Sequence, residues 1–174
     1  MHKQEIIASL KIHHQNYLAW FSPITIDKYT NSNNEKWTPG QHLQHIIQSV
    51  KPLQFACSLP LFVLSYKFGK ANRPSKTYDA LVEKYKAKLL AGGRASANFI
   101  PESQAYTNKL ALEQQLQKIV SKLCKRIEKY SEQQLDTYIL PHPLLGKLTL
   151  REMFYFTIYH VQHHQALLNR DYGE

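Results

Sequence analysis

Four long segments of this chain space their apolar residues by threes and fours, and no segment alternates as a strand would. That period describes helices with one face turned inward, so the chain must bury four such faces against one another. The first segment runs from about Lys3 to Phe21, with Ile6, Ile7, Leu10, Tyr17, Leu18 and Phe21 on one side, and Ser22-Pro23 interrupts it. The second opens at Thr38-Pro39-Gly40-Gln41. Thr as N-cap, Pro at the first helical position and Gln at the third make a capping box. It carries Leu43, Ile46, Ile47 and Val50 as far as Pro52, where a kink or break is expected.

The third segment begins near Pro101-Glu102-Ser103 and carries Leu112, Leu116, Ile119, Leu123, Ile127 and Tyr130, with a short turn restarting at Ser131. A second capping box, Thr149-Leu-Arg-Glu152, opens the fourth. The region from Lys67 to Pro101 is the least regular, with a shorter helix expected from Tyr78 to Leu90 and closed by Gly92-Gly93. The polar stretch 31–36 and the stretch Leu140–Gly146 read as loops. Four long helices with one long crossover between the second and third predict an all-α four-helix bundle. A chain of 174 residues is enough for one domain, 1–174, with a real core.

No stretch approaches the roughly eighteen apolar residues of a membrane span, and the start lacks the pattern of a secretory signal. Cys57 and Cys124 lie in helical patterns and suggest no disulfide framework. A cytoplasmic protein without a membrane partner is expected. The formal charge of +9 is concentrated: between Lys67 and Arg94, eight Lys or Arg face Asp79 and Glu83, a net +6. Such a segment attracts anionic small molecules or a phosphate backbone. Only Tyr78 and Tyr85 interleave it as stacking platforms, so nucleic acid is not the expected partner.

The fourth segment holds the chemistry. Its inward stripe is Leu150, Met153, Phe156, Thr157, His160, His164, Leu167 and Leu168. His160 and His164 are four residues apart, so both imidazoles leave the same face, separated by a rise of about 6 Å. Buried imidazole nitrogens need partners, and one metal ion could serve both. A third donor is required. His45 lies on a polar line of the second helix with His42, Ser49 and Ala56, beside the apolar centre, and His42 could take its place. His13 and His14 sit among the apolar positions of the first helix. His163 points roughly 60–100° away from the pair. His2 and His142, in terminal and loop contexts, have no expected role, and spacing leaves the third donor open.

The run Trp37-Thr-Pro-Gly-Gln-His-Leu-Gln-His45-Ile resembles the second-helix motif of the DinB/YfiT-like metalloenzymes, a Trp eight residues before a metal-binding His. Gly146-Lys-Leu-Thr149-Leu-Arg-Glu152 followed by His160-Val-Gln-His-His164 resembles that family's last-helix motif, in the same order over essentially the whole chain. The resemblance implies one divalent ion held by His45, His160 and His164, with water in the open positions. Three imidazoles make an open site of catalytic type, and nitrogen ligands suit zinc or nickel first, with iron, cobalt or copper as alternatives. The resemblance also implies a transferase using a low-molecular-weight thiol on a small-molecule substrate, and a possible homodimer.

A hydrolase that activates water is the alternative. Position 161, where a His-Glu-x-x-His protease carries its base, is Val161, which weakens that alternative. A carboxylate-rich di-metal site finds no Glu-x-x-His pair on the last helix. A stress protein that only retains the ion is a third reading. Trp37, just before a helix cap, is read as packing against the end of the bundle.

Overall fold

A computed structural model describes residues 1–34 and 36–173. The first segment forms α1 (Lys3–Trp20). A short α2 (Ile26–Thr30) follows, and the second segment forms α3 (Pro39–Ala56) behind the expected Thr38/Gln41 capping box. The crossover contains α4 (Leu61–Phe68), α5 (Tyr78–Leu90) and two single 3-10 turns at Ala97–Phe99 and Tyr106–Asn108. Then come α6 (Lys109–Ile127), α7 (Glu132–Thr137), β1 (Ile139–His142), β2 (Gly146–Thr149) and α8 (Leu150–Tyr172). The polar stretch 31–36 includes Glu35, which lies outside the described residues, as does Glu174.

The four long helices close a ring in which α1 and α3 each pack against both α6 and α8. Ile6, Leu10 and Tyr17 of α1 meet Leu116 and Leu123 of α6, Leu43 and Ile46 of α3, and Phe154, Ile158 and Leu168 of α8 in one buried core. The fold is all-α apart from one small hairpin. Gly40 lets α3 start tight against its neighbour, since a Cβ there would meet the buried Tyr29 ring at 2.8 Å. Among the described residues no single helix is long and apolar enough to cross a membrane. Both cysteines are free and buried, with burial pushing the Cys57 thiol up to about 12 and that of Cys124 to about 11.

Three expectations are corrected. Of the kink or break expected at Pro52, the break does not occur: α3 runs on to Ala56, and one missing N–H is tolerated where Val50 and Leu53 are anchored in the core. The chain turns later, and α4 leaves at 107° to α3. The third long helix starts at Lys109, not near Pro101. Tertiary contacts hold 101–108 as a loop: Gln41 donates to the Pro101 carbonyl at 3.1 Å, and Tyr106 packs edge-on to Tyr29 at 5.5 Å. The stretch 140–146, read as a loop, is largely a β-hairpin, with Ile139 opposite Thr149 and His142 opposite Gly146. Two four-residue strands are too short to show alternation, and Pro141 is tolerated because each strand of a hairpin is an edge.

The end of α5 is as expected. Gly92, at φ 86°, donates to Leu89 and Gly93 donates to Lys88 at 2.9 Å, the paired bonds of a Schellman closure. Part of the basic segment is spent inside the fold. Arg73 pairs with the buried Glu152 at 2.7 Å, and Lys84 Nζ donates to the Leu145 carbonyl at 2.9 Å.

Candidate metal centre

α8 is buried on two faces. One carries Phe154, Ile158, Val161 and Leu168 into the core; the other turns Met153, Phe156, Thr157, His160 and His164 toward a cavity. α3 lies across from that second face and contributes His45. All three imidazoles are buried, and their Nε2 atoms converge: His45 to His160 is 3.3 Å and His164 to His160 is 3.2 Å. They form a donor set that a single ion could satisfy. Nitrogens bound to one ion at about 2.0–2.1 Å in tetrahedral directions stand about 3.3 Å apart, so the spacing fits.

The outer nitrogens show which way the lone pairs point. His45 Nδ1 lies 2.7 Å from the Phe99 carbonyl, which only accepts, so Nδ1 carries the proton. His160 Nδ1 lies 3.4 Å from Ser49 Oγ, whose own hydrogen goes to the Ile46 carbonyl at 2.9 Å; that oxygen too is an acceptor. His164 Nδ1 is 2.8 Å from His42 Nδ1. Either ring can donate in that contact; a His164 that gives its Nε2 lone pair to an ion donates from Nδ1, and His42 then accepts. The outer contacts of His45 and His160 leave an inward lone pair at Nε2, and that of His164 is compatible with one, the orientation of metal-ligating imidazoles. Burial, reinforced by the neighbouring imidazoles, holds His160 and His164 well below the ordinary histidine range, and burial also lowers His45. Neutral imidazole is the metal-binding form.

The remaining histidines separate cleanly. His42, the rival donor, stands behind His164 rather than in the donor set. His14 is a core residue whose Nδ1 donates to the Leu10 carbonyl at 2.8 Å. His163 lines the cavity outside the donor set, its ring 5.4 Å from that of His164. Two expectations fail. His142 does have a place, on the cavity wall. Trp37 does not simply cap the bundle end; it lines the cavity, 4.9 Å from the His45 ring and stacked on His164 at an interplanar angle of 12°. No local sequence signal marks either one, because both positions are set by how the crossover and the hairpin close over the helices.

The cavity above the three imidazoles measures about 500 Å³. Its walls are mainly apolar, from Leu53, Leu89, Phe99, Leu144, Met153 and Phe156, with the exposed Arg94 at its edge. Among the described residues no Asp or Glu lines it.

A helical bundle with a buried trio of imidazoles beneath an open chamber is the architecture of a metal-binding protein. The family model of the DinB superfamily matches residues 9–168, and the chain belongs to that superfamily. No curated protein matches it.

Proposed function

We propose that His45, His160 and His164 hold one divalent metal ion, and that the protein is a transferase using a low-molecular-weight thiol. The observation that carries this reading is three converging Nε2 atoms beneath a mainly apolar chamber on whose wall, among the described residues, no Asp or Glu stands. When bound, the ion would supply Lewis acidity, favouring a thiol in its thiolate form.

The chain does the rest. Three neutral ligands leave the full charge of the ion uncompensated, which favours an incoming anion. The mainly apolar wall lowers the local dielectric and strengthens that attraction. Arg94 offers the edge of the chamber a partner for a carboxylate on the thiol, in a region where the charge excess lies. His163, kept below the ordinary histidine range by burial and by Arg170, is a neutral base within the chamber, able to take the thiol proton.

That imidazole also supports the second reading, a hydrolase in which His163 takes a proton from water. The cobalt-substituted protein discriminates. Millimolar glutathione or cysteine is expected to bring intense sulfur charge-transfer bands, weakened by salt where Arg94 contributes. An unchanged spectrum, with thiol-free esterase activity that is lost in His160→Ala, would transfer the assignment to the hydrolase.

A further inference from the structure

The hairpin that closes one side of the chamber carries an imidazole that the metal chemistry does not use. His142 ends β1. Its Nδ1 lies 3.1 Å from the backbone nitrogens of both Leu144 and Leu145. Backbone N–H groups only donate, so Nδ1 is the acceptor and the proton of the neutral ring sits on Nε2. The hydrogen bonds of the ring among the described residues are both made at Nδ1, and the ring lines the cavity. The ring stands edge-on to Phe156 at 4.2 Å, and Phe156 stacks on His160 at 4.8 Å. Burial, helped by Lys84 of α5, whose ammonium donates to the same turn, lowers the imidazole to about 4 and keeps it neutral.

An uncharged imidazole with its N–H left unused by the protein thus lines the chamber one aromatic ring away from the donor set, on a wall shared with Pro141, Leu144 and Met153. Both roles of the ring are spoken for: it donates into the chamber and cannot accept there. A hydroxyl or amine bound at this spot finds no acceptor in the ring for its own hydrogen and must pair it elsewhere or lose that bond. An oxygen that only accepts has no such loss.

We propose that His142 Nε2–H anchors the substrate that meets the thiol, and that this substrate is an apolar molecule bearing an uncharged carbonyl. The proposal rests on the chamber being the place where substrate meets the ion.

The test uses zinc-loaded protein and two probes of the same shape, acetophenone and α-methylstyrene, which differ in C=O against C=CH₂. Long-range proton–nitrogen correlation should place the proton of His142 on Nε2. Acetophenone should shift that N–H resonance downfield, while α-methylstyrene should perturb the Met153 methyl without moving it. His142→Asn keeps an acceptor for the two turn N–H groups and withdraws the donor from the Nε2 position, since its amide nitrogen ends one bond short of it. It should weaken acetophenone by about fivefold to tenfold and leave α-methylstyrene unchanged. A proton on Nδ1, equal weakening of both probes, or unchanged acetophenone affinity would overturn the proposal. If the Asn variant does not fold, the pair of wild-type titrations decides. His160→Ala separates the two readings. Loss of acetophenone there, with retention in His142→Asn, would send the carbonyl to the ion and sink the anchor. Wild-type protein that holds no zinc yet shows the His142 response would sink the metal assignment and leave the anchor standing.

Discussion

His42 shows how much one hydrogen bond can decide. Its Nδ1 meets His164 Nδ1 at 2.8 Å, so a His164 that gives its Nε2 lone pair to an ion has His42 as the acceptor for its remaining ring proton. His42→Ala should therefore weaken the ion by about tenfold to a hundredfold, as loss of an outer partner does. His42→Asn, whose Oδ1 can accept in the same place, should recover most of it. Competition with a chromophoric chelator measures both, and equal affinities for the Ala variant and the wild type would show that the contact is idle. In the same assay His45→Ala, His160→Ala and His164→Ala should each lose most of the metal, and His163→Ala should keep it. If His163→Ala strips the ion while His164→Ala does not, the assignment on α8 is wrong.

At the scale of elements, the start of α8 depends on one carboxylate. Glu152 is fully buried, accepts from Thr149 N at 2.9 Å as the return half of the capping box, and also takes Arg73 and the backbone N–H of Lys76. Arg73 and the backbone bonds outweigh burial, so its carboxyl lies below the usual range. Glu152→Ala should cost about 3 kcal/mol because it strands the crossover at Arg73 and Lys76 as well as the cap. Thr149→Ala should cost only about 1 kcal/mol. Urea unfolding midpoints test the order; equal costs would mean that the strap at 73–76 is not held by this residue.

The same elements show what a sequence can carry. α1, α3 and α8 were legible because each presents a long periodic face behind a local start or stop signal. The His160/His164 pair was legible for the same reason, since one helix fixes both directions. His45 was not, because spacing places a residue on a helix but not the partner helix opposite it; the resemblance to a family motif was needed. The hairpin, the 3-10 turns around Pro101 and the cavity positions of Trp37 and His142 depend on contacts between segments far apart in the chain.

For the whole molecule, burial of neutral imidazoles makes stability depend on acid. His14 and His142 are each lowered to about 4 by burial, against 6.5 in an unfolded chain. Between those values the unfolded chain takes up protons that the folded one refuses. Stability therefore rises with pH through this window and is lost as pH falls, by about 1.4 kcal/mol per pH unit for each such group. Denaturation curves at pH 7.5, 6.5, 5.5 and 4.5 should be level above 7 and decline below 6.5; a level response down to 5 would contradict the burial. Metal acts on the same balance. A hundredfold excess over Kd adds about 2.7 kcal/mol to a native state that alone binds it. Chelation should thus lower Tm while helical circular dichroism persists, because the apolar faces of the helices pack into one core without the three imidazoles. An apoprotein without helical signal would refute this.

Phe99 serves the chamber twice, and the two services are chemically independent. Its side chain forms part of the wall, while its carbonyl orients His45 at 2.7 Å. Any amino acid brings that carbonyl. The side chain at 99 can therefore be exchanged to reshape what the chamber admits, while the imidazole behind it keeps its bearing. Selectivity and metal affinity can drift apart at a single position, and a library at residue 99 would change the first while sparing the second.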